Sequence, residues 1–171
     1  MKYIVCFLSV IMLFNLMSLQ RLHADTPLPK PKGKIILTIE GKITNKNHGE
    51  RAVFDHAMLA NLDTFTITTS TPWDVGVSEF TGCRLSKLME ATGADGTIMF
   101  VTALDGYEVT VPTSDIKEFD PILAWARNGK VMTIREKGPL WLIYPFDSAS
   151  ELRGMEYSAR SVWQIERIAF Q

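Results

Sequence analysis

Two Asx-Gly dipeptides, each set between β-branched and aromatic runs, constrain this chain more than any other feature. In "TIMFVTALDGYEVTVPTSD" (97 to 115) the dipeptide is Asp105-Gly106, and in "PILAWARNGKVMTIR" (121 to 135) it is Asn128-Gly129. Such dipeptides favour the tight turns that match the twist of paired strands, so each stretch predicts an antiparallel hairpin. "GPLWLIYPFD" (138 to 147) follows as a strand apolar on both faces, which only a sheet covered on both sides accommodates. Upstream, "KIILTIEGKI" (34 to 43) and "TFTITTSTPW" (64 to 73) carry the same β-branched enrichment, with "AVFDHAMLANL" (52 to 62) read as a short helix between them. In "RLSKLMEATG", Leu85, Leu88 and Met89 recur at helical spacing and Gly93 supplies the stop. "ARSVWQIERIAF" (159 to 170) predicts a last strand, with Val162, Ile165 and Ile168 broken near Gln164. These elements make a β-rich α+β domain.

The front of the chain bears on compartment and redox state. Lys2, an apolar run from Tyr3 to Leu19 and the close "LHA" before Asp25 form the pattern of a secretory signal peptide over residues 1 to 24. Residues 25 to 33, "DTPLPKPKG", hold three prolines and read as an exposed lead-in to a single domain over 34 to 171. Secretion, with a periplasmic destination, is the expectation. Of the 18 Lys and Arg only Lys2 and Arg21 lie in the leader, against 19 Asp and Glu beyond it, so the mature chain is slightly acidic with no charge block. That argues against a nucleic-acid partner. Cys6 leaves with the leader, so Cys83 has no intrachain partner, and neither a disulfide framework nor a disulfide-linked partner is expected.

The ordered strings "FTGCRLSKLMEATGA", "ALDGYEVTVPTSD", "PILAWARNGKVMTIREKGPLWLIYPFD" and "YSARSVWQIERI" resemble the molybdopterin-binding domain of the sulfite oxidase family over roughly residues 34 to 171. Within that family the chain is most similar to small, free-standing periplasmic members that lack catalytic parts. Some of those bind reduced or oxidised pterins and act as sensors with a membrane-bound cyclic-di-GMP enzyme. The resemblance implies that a catalytic member would carry its molybdenum-ligating cysteine in the region of "TTSTPW" (68 to 73), where this chain has no thiol. Cys83 falls after the glycine of "FTG" and before the helix, where its neighbours Leu85 and Leu88 suit a buried small hydrophobe. A thiolate is a soft ligand that neither hydroxyl nor indole replaces, so molybdenum is not expected, and the reading leans away from an enzyme.

A flat heterocycle such as a pterin calls for aromatic planes, an acid matching its N–H and amino pair, and donors for its acceptors. Trp73, Tyr107, Tyr144, Phe146 and Trp163 are candidate planes, Asp105 and Asp147 candidate acids, and Arg160 and Ser161 candidate donors. Several have plain structural alternatives. Tyr144 sits in an apolar strand beside Trp141, which reads as core, and Asp105 is also a turn former. Trp163 is favoured for the pocket because "RSVWQ" matches the family's cofactor-facing last strand. His48 and His56 have no acid or thiol at metal-binding spacing. No GxSxG elbow, P-loop or GxGxxG occurs. The expected function is a pterin-binding sensor without redox catalysis. The alternatives are a molybdopterin-dependent oxidoreductase with an atypical site and an envelope factor that keeps the fold with an empty site.

Overall fold

The computed structural model describes residues 27–171. The signal-peptide reading of residues 1 to 24, with Cys6, lies outside the described residues. Two five-stranded sheets carry the architecture. The first has the order β2-β1-β10-β5-β6, built from β1 (Ile35–Gly41), β2 (Ala52–Asp55), β5 (Ile98–Ala103), β6 (Glu108–Pro112) and β10 (Ile165–Phe170). Its strands pair antiparallel except β1 with β10. The second runs β3 (Phe65–Thr71), β4 (Asp74–Arg84), β7 (Ile122–Arg127) and β8 (Lys130–Val131), with β9 (Trp141–Ile143) also on β7. Helices α1 (His56–Leu62), α2 (Leu85–Thr92), α3 (Ser114–Phe119) and α4 (Met155–Arg160) fill the connections. Both predicted hairpins form, β5–β6 about Gly106 and β7–β8 about Gly129, with φ of 85° and 73° at the two glycines.

The strands β7 and β9 show why their sequences are apolar at every position except Arg127. Leu123, Trp125 and Leu142 face the main core, together with Leu37, Phe54, Val101 and Ile168 of the first sheet. Ile122, Ala124, Trp141 and Ile143 face the opposite way, onto Phe80 and Met132. Each fully buried Leu, Ile or Phe contributes about 1.5–3 kcal/mol, so burial stabilises these strands from both faces. Gly82 lies where β4 crosses β7 at a register shift. A Cβ there would sit 2.3 Å from the Leu123 carbonyl oxygen. The glycine of "FTG" therefore permits a close strand crossing inside β4 and is not in a turn.

Beyond β4 and α3, which the sequence reading did not assign, three stretches differ from it. Residues 52 to 62 are not one helix: Ala52–Asp55 form β2, every residue of it buried, and only His56–Leu62 are helical. Asp55 makes the switch, because its Oδ1 accepts from Met58 N at 2.8 Å as the helix N-cap. Its Oδ2 accepts from Lys32 N and Gly33 N, so the lead-in is exposed along much of its length yet tied down, with Leu28 packed on the core. Those backbone donors, Gly33 first, hold the Asp55 carboxyl below its usual range. The run 138 to 147 yields only three strand residues, since β9 is as long as its register with Ile122–Ala124 and Pro145 brings no N–H to a ladder. Finally, 159 to 170 is not a single strand. Helix α4 runs to Arg160, Val162 and Trp163 cross as a short connection, and Gln164 at φ 55° turns the chain into β10.

Candidate functional site

A cavity of about 430 Å³ opens where the ends of both sheets meet α4. That lies within the roughly 300–1,000 Å³ typical of small-molecule sites. Each wall has a local cause. Trp73 occupies the turn between β3 and β4, with Pro72 preceding it. Asp105 and Tyr107 belong to the β5–β6 turn, which Asp105 closes by accepting from Tyr107 N at 3.0 Å through Oδ1. Ser158, Ala159 and Ser161 end α4, and Trp163 follows, held by an isolated bridge to Trp141.

Tryptophans define the back of the cavity. Trp73 and Trp163 stand perpendicular, with ring centroids 5.6 Å apart. Trp141 packs behind both, at 5.5 Å from Trp73 and 6.3 Å from Trp163, and donates its Nε1–H to Ser161 O at 3.1 Å. The Lys137 ammonium lies 4.3 Å from the Trp141 ring centroid and 5.2 Å from those of Trp73 and Trp163. Burial holds that ammonium below its usual pKa, with Arg127 adding to the effect and Asp74 opposing it. A cation over aromatic faces is attracted by their quadrupoles, so Lys137 fixes the cluster at the cavity's back.

Of the nine residues singled out from sequence, Trp73, Asp105, Tyr107, Ser161 and Trp163 line this cavity. The other four are placed elsewhere. Tyr144 is fully buried and donates its hydroxyl to Asp115 Oδ2 at 2.6 Å. Burial and that carboxylate push its phenol pKa up, so it stays a neutral donor. Arg160 pairs with the same Asp115 at 3.1 Å, pointing its charge into the core side of α4. Phe146 is buried against Trp73, at 6.3 Å between centroids. Asp147 clamps β3: Oδ2 accepts from Ser70 N at 2.6 Å and Oδ1 from Ser70 Oγ at 2.7 Å. These bonds, with Arg153 3.6 Å away, hold its carboxyl below the usual range.

Sequence reasoning missed Asp115 and Lys137. The acid of "PTSD" falls at the end of the stretch read as a hairpin, and its role is hidden because its partners Tyr144 and Arg160 lie 29 and 45 residues away. Nothing in "REKGP" signals three indoles around Lys137. Among the remaining expectations, His56 begins α1 and meets the Trp125 ring at 5.1 Å, and His48 bridges to Arg51.

Cys83 answers whether this donor set fits a molybdenum-bound pterin. Its residue is fully buried in the main core, does not line the cavity, and places Sγ 3.5 Å from Arg84 O. Burial, reinforced by Asp63, pushes the thiol up to about 12. The stretch 68 to 73 offers hydroxyls and an indole in place of a thiolate. The planes and polar groups of the cavity thus fit a pterin ring, whereas its described lining residues include no thiolate as a soft metal ligand. We expect Cys83→Ala to lower stability by about 1 kcal/mol through lost packing and to leave ligand affinity unchanged. The native thiol should resist alkylation at pH 8 until the protein is unfolded, and rapid alkylation of the folded protein would contradict its assignment to the core.

Comparison with known proteins agrees with this architecture. The crystal structure of the sulfane dehydrogenase SoxCD from Paracoccus pantotrophus superposes with a TM-score of 0.55 at 17% identity, over 78% of this chain. The chain spans 37% of that protein's length, and the likeness is one of fold. No curated protein matches the chain. Since the family model for the oxidoreductase molybdopterin binding domain matches residues 38–167, both sheets and the walls of the cavity included, the chain belongs to that family.

Proposed function

We propose that the cavity between Trp73 and Trp163 binds a free pterin and that the protein is a ligand sensor without redox catalysis. The observation that carries this reading is the perpendicular indole pair lining a cavity with Asp105, in a chain whose 68 to 73 stretch has no thiol. One indole offers a face for stacking while the other closes the edge. The Asp105 carboxylate, with Oδ1 engaged by Tyr107 N, keeps Oδ2 for the N–H and amino pair of a pyrimidine edge. Ser161 Oγ already donates to Tyr157 O at 2.9 Å, so it meets the ligand as an acceptor. The sensor reading extends to a periplasmic location and to the periplasmic domain of a membrane-bound cyclic-di-GMP enzyme as partner.

A molybdopterin-dependent oxidoreductase with an atypical site is the second reading, favoured by the family match over residues 38–167. Ligand released from purified protein separates the two. Pterin fluorescence without molybdenum by elemental analysis supports the sensor, and stoichiometric molybdenum overturns it. Neopterin titrated into ligand-free protein should lose fluorescence on binding, because close indole contact quenches it. An unquenched, non-saturating titration would remove the cavity as the pterin site.

A further inference from the structure

We propose that the basic cleft formed by the β7–β8 hairpin and the short 3₁₀ turn Ile134–Glu136 is a docking surface for an acidic, extended segment of a partner protein, coupled to the tryptophan cavity through Gln164 and Lys137. The coupling rests on the pterin reading above, whereas the docking surface stands without it. The cleft encloses about 480 Å³ and is lined by Arg127, Lys130, Arg135 and Lys137. Its single acidic lining residue, Glu136, is occupied in accepting from Thr133 N and Oγ at 3.0 and 2.8 Å. Asp74 is shared between Arg127 at 3.1 Å and Lys137 at 4.0 Å. Among the described residues Lys130 and Arg135 form no ion pair, as is also true of Lys30, Lys32, Lys34, Lys42 and Lys117, but these two share one cleft with Arg127 and Lys137. Cations gathered in a concavity of a chain whose net charge is −1 attract a complementary anion.

Shape and edge chemistry favour a polypeptide over a lipid surface. The site is a cleft, and a bilayer is flat on this scale. β8 is a two-residue edge strand, and among the described residues no strand pairs with its outer side, so it leaves at most one residue's backbone N–H and C=O for a partner's main chain. Val131 and Ile134, 65% and 55% exposed, provide apolar seats between the cations. An extended segment alternating carboxylate and aliphatic side chains meets both features, since successive side chains of a strand point to opposite faces.

The link to the cavity is covalent and hydrogen-bonded. Gln164 follows the cavity residue Trp163, adopts φ 55°, and donates from N to Lys137 O at 3.1 Å and from Nε2 to Ile134 O at 2.7 Å. The Lys137 ammonium rests on the indoles that wall the cavity. A ring inserted against Trp163 therefore shifts the cleft's own backbone or its central cation. Linkage makes the effect reciprocal.

The test titrates a synthetic peptide of alternating Glu and Val into isotopically labelled purified protein. Saturable amide shifts centred on residues 127 to 138 and reaching Trp163 and Gln164 are expected, with affinity weakened at least about tenfold by the double variant Lys130→Glu, Arg135→Glu, as for two lost charge-assisted contacts. An equal response to the Lys-Val peptide, no saturable shift, or a response to phosphatidylglycerol vesicles alone overturns the surface. For the coupling, saturating neopterin should change the peptide's Kd by about fivefold or more, and the peptide should change neopterin's Kd by the same factor. Gln164→Ala, which removes the Nε2 bond and keeps the backbone bond and the Lys137 contact, should reduce that factor while preserving both separate affinities; an unreduced factor, or a factor of one in the native protein, overturns the coupling through Gln164. Peptide binding without neopterin binding would sink the pterin reading and leave the docking surface standing. The reverse would sink the surface alone.

Discussion

Trp141→Ala should lower the stability of the domain by about 3–5 kcal/mol, enough to unfold it under mild conditions. Trp163→Ala should cost only about 1–2 kcal/mol in edge contacts and instead remove neopterin binding. The contrast follows from placement. Trp141 is fully buried on the second face of the β7–β9 sheet, touches Phe80 at 5.5 Å, and gives its indole N–H to Ser161 O. Its removal leaves a cavity the surrounding strands cannot collapse into, and orphans a carbonyl at the cavity's floor. Trp163 is 38% exposed and lines the cavity. Stacking of a flat ring on an indole is worth about 1–3 kcal/mol, so Trp163→Phe should bind more weakly than the native protein and more tightly than Trp163→Ala. Thermal denaturation and neopterin quenching of the three variants check this. A Trp163→Ala protein that melts, beside a folded Trp141→Ala protein that cannot bind, would show that the pocket is built around Trp141.

How much of this was readable from sequence depended on the range of the signal. The hairpins about Gly106 and Gly129 and the helix ending at Gly93 were legible because their determinants lie within a few residues. The two-faced burial of Trp141–Ile143 was legible because both faces are apolar, although the strand's length was not, being set by its register with β7. Helix α4 was missed since its six residues, Met155–Arg160, make fewer than two turns and show no measurable periodicity. The same limit applied to the site. Trp73, Asp105, Tyr107 and Ser161 could be named from residue type and Trp163 from the family resemblance of "RSVWQ", and the structure brings them to one cavity. Asp147 and Arg160 have equally suitable chemistry, but β3 and Asp115 hold them by contacts no local pattern encodes.

Asp115→Ala is expected to destabilise the domain by about 3–5 kcal/mol, the cost of stranding a partner of a buried ion pair. Asp115, 4% exposed, accepts from Tyr144 Oη at 2.6 Å and from Arg160 Nη1 at 3.1 Å. Removing the carboxylate leaves the Tyr144 hydroxyl buried without an acceptor. It also leaves Arg160, whose side chain is 19% exposed, with only the Glu156 carboxylate 3.8 Å away at the surface. Neither group can escape, because Tyr144 is wedged between Phe119, Phe146 and Tyr157, and Arg160 lies over the Tyr157 ring. Asp115→Asn should lose less, since its amide oxygen still accepts one bond while the charge of Arg160 goes unanswered. Adding Arg160→Met to Asp115→Ala should recover part of the loss, as replacing both members of a buried pair by apolar groups removes the uncompensated charge. Additive losses in the double variant, measured by denaturant unfolding, would show that the two side chains do not act as a pair. α4 carries Ser158 and Ala159 of the cavity wall one turn from this contact, so Asp115→Ala should also weaken neopterin binding even where the protein remains folded. Retained affinity in the folded fraction would show that the cavity wall does not depend on the Asp115–Arg160 anchor.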